Sequence, residues 1–485
     1  MKESKKSFSR WKNLLYSGLG VLIFIFCAIV SPQNHYVSAL ALLGGSILLY
    51  FLFVFATPEK NYLSLRAVFT LVWLFTIGLA ELKLVNYQEP WQQQTWFLLA
   101  LAYAMFQIGI ALGIRFGSKL SEWISTKSGM KKGRLQFKFR PERLFGICWV
   151  VTLIGAGCFV ANVLIRGWIP YFVKETGMYA QFYTKFYLFA VAASMISGLC
   201  YYCFKTQPLS KWKKAVLLLC IFYSTFVFPI LVVSRGTFVS SALTLTATIF
   251  YLNKKRFLVL VSCVIVMFGV YEFGSAARNY TNEALDNLFE PSEIIINPEP
   301  SEPTASGTTD QQEPNGEIVF QLPGKVAFLY SYLTVSHDNF NEAVQNATEY
   351  TYGIRQLKPF NVILRIPQVE DTLKEGEYYL VRPYLNTVNL IGYSYYDLRW
   401  FGVGFFMLLW AIGFGIIEAL YMKGKGVFAL ISVGITLTPV ALCFFTPWMS
   451  DFSLWMHWGL NIILSLIAST TILPKIKGET ERKEI

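Results

Sequence analysis

The sequence predicts an all-α polytopic membrane protein of about twelve transmembrane helices, with one large external loop between the ninth and the tenth. Three observations carry this. The 485 residues are 54% hydrophobic and 17% aromatic but only 15% charged, with a mean hydropathy of +0.44. Apolar runs close to spanning length recur along the chain. The segments between them alternate between basic and non-basic. A soluble core of this length does not absorb so much apolar surface, whereas a bundle of lipid-facing helices does. The net charge of +12 sits in short runs between apolar stretches, which marks orientation in a membrane and argues against a nucleic-acid-binding face.

Taken in order, the expected spans are 13–31, 36–56, 67–85, 96–114, 144–165, 186–204, 215–233, 237–252, 257–274, 400–422, 427–446 and 453–473. The first follows Lys2, Lys5, Lys6, Arg10 and Lys12 and ends at Ser31-Pro32-Gln33 without a small-x-small site. It therefore reads as a spanning helix and not as a cleavable signal. With the N-terminus inside, the inner segments hold 29 of the 42 Lys and Arg residues, and each of them is basic. Both termini are then expected in the cytoplasm. The seventh and eighth spans are joined by Ser234-Arg235-Gly236 alone; a re-entrant pair is the alternative, and Lys254-Lys255-Arg256 favours full crossing.

The chain divides into an N-terminal bundle (1–274), an external region (275–399) and C-terminal helices with a cytoplasmic tail (400–485). The external region carries 8 basic and 17 acidic residues. Residues 291–316, rich in Pro, Glu, Ser and Thr, read as a disordered linker. Beyond it, Val326, Leu329, Tyr330 and Leu333 recur at helical spacing and suggest an amphipathic helix on the outer interface.

Several chemistries find no support. There is no GxxxxGK, HExxH or GxSxG, and His35, His337 and His457 are too scattered for a metal site. No metal and no cofactor is expected. The cysteines lie in or beside apolar segments, and Cys200-Tyr-Tyr-Cys203 lacks a second pair.

Arginine on the outer face points elsewhere. Arg235 ends one apolar run beside the free N–H groups of the next, and Arg278 occupies a similar level. Two guanidinium groups at membrane depth suit a diphosphate through charge-assisted, often bidentate bonds; snorkelling to lipid headgroups is the bland alternative. His337-Asp338 fits a general base or a solvated helix end. Arg355, Arg365 and Arg382 fit ion pairs or substrate contacts. Asn386, Tyr396 and Asp397 suit sugar recognition as well as an aromatic belt. Glu272 and Glu418 are intramembrane carboxylates near enough to helix ends to reach water.

With these residues in view, the chain resembles the bacterial oligosaccharide repeat-unit polymerases of the O-antigen and capsule type (the Wzy class). Arg166-Gly167-Trp168-Ile169-Pro170 is like the family's Gly-x-Ile-Pro turn, and Ser234-Arg235-Gly236 is similar to its external arginine. The large external loop begins near Arg278. Asp397-Leu398-Arg399 ahead of Gly402 resembles Asp-Phe-Gly-x-x-Gly, with Leu-Arg in place of Phe-Gly. The likeness spans roughly residues 140–425 of the sequence. It implies a membrane glycosyltransferase that joins undecaprenyl-diphosphate-linked oligosaccharides into a surface polysaccharide. Arg235 and Arg278 would hold the diphosphate, His337 or Asp338 would act as base, and arginine would replace a metal. The implied setting is the bilayer of a bacterial cytoplasmic membrane, beside the pathway's flippase and chain-length regulator. An O-antigen ligase or a lipid-linked oligosaccharide flippase are the competing readings. Helix interiors almost free of charge, with polar elaboration on one face, favour surface catalysis over transport.

Overall fold

The computed structural model describes residues 2–253 and 324–469, apart from 57–59, 86, 128–138, 174–181, 183, 368, 370, 372–378, 383–384 and 425. Regular structure among these is entirely helical. The helices are α1 (Lys2–Val30), α2 (His35–Ala56), α3 (Leu65–Glu81), α4 (Gln93–Lys127), α5 (Pro141–Arg166), α6 (Lys185–Ser194), α7 (Ile196–Thr206) and α8 (Lys211–Phe222). They continue with α9 (Phe228–Leu231), α10 (Arg235–Leu252), α11 (Gly324–Asn346), α12 (Ile354–Leu364), α13 (Gly392–Gly424), α14 (Val427–Ala441) and α15 (Phe452–Ser469).

Seven described segments are long and apolar enough to cross a bilayer: Trp11–Val30, His35–Ala56, Gln93–Trp123, Pro141–Arg166, Lys185–Thr206, Lys211–Leu231 and Gly392–Gly424. The apolar Val427–Ala441 and Phe452–Ala468 are shorter. A multi-pass helical membrane protein follows. The expected ninth span, 257–274, with Glu272, Arg278 and the linker 291–316, lies outside the described residues.

Two expected spans are interrupted helices. The 186–204 run is broken at Met195 into α6 and α7. The 215–233 run is α8, a π-helical turn at Tyr223–Val227, then α9 with Pro229 in its first turn. Proline lacks the N–H that an unbroken helix requires, and the wider turn absorbs that loss.

The broadest helix–helix seam joins α4 to α13. Gly109, Gly113 and Gly117 are one turn apart on α4, where a Cβ would lie 2.7 Å from the Leu408 carbonyl oxygen, 2.2 Å from that of Ile412 and 2.8 Å from that of Ile416. Glycine at this spacing lets the backbones meet, and dispersion accumulates along both helices. Beside the seam, Phe69 stacks on Phe106 at 3.7 Å and on Trp73 at 5.5 Å. Outward faces keep Trp149, Ile154, Leu164, Phe405 and Leu466 exposed, as lipid-facing helices do. Inside the bundle, α10 buries Ser240, Thr244 and Thr248, and the two threonine hydroxyls donate to carbonyls one turn back.

The interfacial helix expected around Val326, Leu329, Tyr330 and Leu333 is part of α11, most of which is buried. Val326 is 47% exposed, but Thr334–Asn341 is buried on every side and α11 packs on α3. Its polar residues, which suggested a solvent face, have partners in the bundle. Asn341 accepts from the Thr95 hydroxyl at 2.7 Å and the Gln92 N–H at 3.2 Å. Asn339 donates to the Leu385 and Thr387 carbonyls.

Candidate functional site

The site is built around the turn before α10. Ser234 caps that helix, its hydroxyl oxygen accepting from the Thr237 N–H at 3.2 Å. The chain enters through Val233 at φ 52°, a conformation in which a β-branched residue is strained. Arg235 thereby becomes the first residue of α10, and its guanidinium lies over the Tyr332 ring at 5.5 Å. Tyr332 stacks on Phe445 at 4.8 Å. Next to Arg235, a Cβ on Gly236 would lie 3.3 Å from the Trp448 ring, so the tryptophan rests against the first turn of α10.

Trp448 opens a short 3-10 helix, Trp448–Ser450, that leads to a second group of cations. The Ser450 hydroxyl donates to Gln356 Oε1 at 3.2 Å, and Gln356 Nε2 donates to Ser394 at 3.1 Å. Arg355, on the same turn of α12, is 2% exposed and lies over Tyr396 at 4.5 Å and Tyr393 at 5.7 Å. Lys358 also faces Tyr393, at 5.7 Å. The Trp448–Ser450 turn thus stands between the start of α10, with Arg235, and the turn of α12 that bears Arg355 and Lys358, cations beside aromatic rings of a kind suited to an anion attached to a sugar.

Asp397, a candidate sugar ligand, is fully buried and occupied by the protein. Its Oδ1 accepts from the Thr351 hydroxyl at 2.5 Å and the Arg355 N–H at 3.1 Å, and its Oδ2 from the Gln356 N–H at 3.0 Å. The carboxylate therefore caps α12 from another segment, satisfying donors that the helix start leaves open. Tyr396 accepts from the Tyr379 N–H through its hydroxyl and carries Arg355 on its ring. Arg382 and Asn386 are exposed, and Arg382 donates to the Val381 carbonyl at 3.5 Å.

The α13 backbone breaks where the sequence departs from the resembled pattern. Leu398 has φ −142°, ψ 22° and Arg399 has φ 53°, ψ −139°. Arg399 stands where that pattern has glycine and takes a conformation that favours glycine. Its guanidinium donates to the Ala347 and Glu349 carbonyls and lies over Tyr350 and Tyr395, at 4.8 and 5.0 Å.

His337 and Asp338 do not lie on a solvated surface as expected. His337 is fully buried, with Nε2 3.0 Å from the Thr76 hydroxyl and Nδ1 3.3 Å from Asn389 Nδ2. Since the Asn389 amide can only donate, Nδ1 is the acceptor and Nε2 carries the proton. Burial, and then Lys83, push its pKa down to about 3. Asp338 is 2% exposed and accepts from Trp91 at 2.9 Å, Gln88 at 2.8 Å and Lys83 at 3.5 Å. Burial raises its pKa, against the opposing pull of Lys83 and the two other donors. Helical spacing shows which residues share a face but not whether that face meets water or buried partners, and here it meets partners.

Sequence reasoning also passed over Glu81 and Lys83, which complete this network. Lys83 lies 3.9 Å from Glu81 and over the Trp91 ring at 4.2 Å. The available signal was two charges inside one expected span. Glu418 does not reach water: it is buried against Arg66 on α3, whose guanidinium donates to the Gln107 carbonyl at 3.3 Å. Among the described residues, no group of three or more His, Cys, Asp or Glu is arranged to hold a metal.

No family model, no curated protein and no solved structure matches the chain.

Proposed function

We propose that this protein is a membrane glycosyltransferase that joins undecaprenyl-diphosphate-linked oligosaccharide repeat units into a surface polysaccharide on the outer face of a bacterial cytoplasmic membrane. The observation that supports this best is the placement of Arg235. It opens α10 over Tyr332, and Trp448–Ser450 links its turn to the segment bearing Arg355 and Lys358. In the proposed topology twelve helices cross the bilayer, both termini are cytoplasmic, and 234–236, 275–399 and 447–452 share the outer side.

On this reading the diphosphate of the donor lies against Arg235, with Arg278 as a second ligand. Fixed positive charge aimed at the leaving group stabilises the charge that develops as its bond to the anomeric carbon breaks. Tyr332 and Phe445, both partly exposed, provide flat apolar faces for sugar rings. The bond broken supplies the energy, and arginine supplies the charge that a metal would otherwise bring.

Deleting the gene from its host, then restoring wild type or Arg235→Ala, tests the reading on a gel of surface and lipid-linked glycans. The expected result is loss of the polymer ladder with single repeats still made, rescued by wild type and not by an equally abundant Arg235→Ala. Full-length polymer held on the lipid carrier would identify a ligase instead, and repeats trapped on the inner face a flippase. An unchanged ladder would overturn the assignment.

A further inference from the structure

The network around His337 and Asp338 leaves the proposed transfer without a group to take the proton of the acceptor hydroxyl. Asp338 and Asp397 each have both carboxylate oxygens engaged by protein donors, and His337 is sealed against Thr76 and Asn389. A different carboxylate lies on the turn that bridges the two cationic groups. Asp451 directly follows the Trp448–Ser450 turn, and its N–H donates to the Trp448 carbonyl at 3.0 Å. On one side this turn touches the first turn of α10 through Trp448 and Gly236. On the other it reaches α12 twice, through Ser450 to Gln356 and through Trp455, whose Nε1 donates to the Met449 carbonyl and whose ring packs on Phe360 at 5.3 Å. Asp451 is partly exposed. Its Oδ1 is held by the Ser453 N–H and hydroxyl, both at 2.8 Å. That grip fixes the carboxylate plane at the head of α15, and among the described residues no hydrogen bond engages Oδ2.

We infer that Asp451 is the general base of the proposed transfer, an inference that rests on the polymerase reading. The acceptor sugar's hydroxyl oxygen forms the new bond to the donor's anomeric carbon. The carbon–oxygen bond to the diphosphate breaks, and its electron pair leaves with undecaprenyl diphosphate beside Arg235. The hydroxyl proton passes to Asp451 Oδ2. A partly exposed carboxylate in the loop that also carries the partly exposed Phe445 can meet an acceptor sugar held there, whereas His337 and Asp338 are enclosed by their own partners.

Asp451 also caps α15, and the substitutions are chosen to separate the two roles. Asn and Ser cap helices about as well as Asp, whereas Ala does not. Asp451→Asn and Asp451→Ser should match wild type in abundance and in melting temperature in detergent, while Asp451→Ala should melt lower. With lipid-linked repeat units extracted from the host as substrate, Asp451→Asn should lower kcat by about 100-fold or more at unchanged KM. It should also leave the gene-deleted host without a ladder. A full ladder with Asp451→Asn, or a loss confined to KM, overturns the inference while leaving the polymerase reading standing. An intact ladder in the deletion strain itself overturns both.

Discussion

At the scale of single residues, the proposed role of Arg235 rests on the shape of its guanidinium fork. Arg235→Lys keeps the charge but loses the planar fork; it is expected to retain partial polymer in the complementation gel where Arg235→Ala retains none. For His337 protonation decides. Its folded pKa of about 3 lies below the ordinary 6.5, so below pH 6.5 the unfolded chain takes up a proton that the folded chain refuses. That stability is complete above pH 6.5 and falls as the pH drops towards 3, by up to about 1.4 kcal/mol per unit. His337→Gln, which can still hydrogen-bond there, should flatten this acid limb in melting curves recorded between pH 4 and 7. A limb unchanged in the variant would assign the acid sensitivity to another group. Arg399 gives a third test. Its guanidinium clamps the Ala347 and Glu349 carbonyls, while its backbone sits where glycine is at ease. Arg399→Gly and Arg399→Ala both lose the clamp, but only glycine relieves the strain. Arg399→Gly should therefore be the more stable of the two by about 1 kcal/mol, read from their melting temperatures.

At the scale of elements, the sequence was informative where one period decides the matter and silent where partners decide it. The start of α10 was legible: Ser234-Arg235-Gly236 looked like a short join, and the helix begins at Arg235 with Ser234 as its cap. For α11 the spacing of Val326, Leu329, Tyr330 and Leu333 correctly indicated a helix. Its burial depends on Asn341, Asn339 and Asp338 finding donors and acceptors on residues about 45 to 250 positions away, which no local pattern encodes. Asp397 was singled out for sugar contacts, and in the structure its carboxylate holds the start of α12. Asp397→Ala would leave the Thr351 hydroxyl and two α12 amides without that acceptor, at a cost of about 1–3 kcal/mol. Faster amide exchange at the head of α12 would record it, and unchanged exchange would refute the capping role. The α4–α13 seam was written in the sequence as Gly109, Gly113 and Gly117, although the partner helix was not. Gly113→Leu places a side chain where even a Cβ would lie 2.2 Å from the Ile412 oxygen and should melt markedly lower. Gly146→Leu on α5, where a Cβ meets nothing within 4 Å, should not.

At the scale of the whole molecule, composition and charge alternation were enough to identify a multi-pass helical protein, because the bilayer allows few alternatives. They could not locate the interruptions at Met195 and Tyr223–Val227, since broken and unbroken apolar helices have much the same composition. Nor could they show that Glu81, Lys83 and Asp338 meet, because charged partners inside a bundle are paired by packing and not by spacing. The proposed twelve-span topology predicts that single cysteines placed at Gln207 and at Thr446, in a background freed of the native cysteines, report opposite sides. A membrane-impermeant maleimide on intact cells should label the second and not the first. Labelling of both from outside would require the order of spans to be redrawn.

The break in α13 has a mechanical meaning. Beyond the break α13 runs on from Trp400 to Gly424, and a spanning helix answers a thinner or thicker bilayer by changing its tilt. Its N-terminal end is fastened: Thr351 and Tyr352 donate through their backbones to the Tyr396 and Asp397 carbonyls, and Arg399 grips the Ala347 carbonyl. Tilt is thus handed on to α12, and Arg355 and Lys358 travel with it. Acyl chain length in the surrounding lipid is then expected to alter how Arg235 stands to the second pair of cations. On the proposed reading, vesicles that differ only in that length should give different rates of polymer formation from the same lipid-linked repeats, and equal rates would refute the coupling.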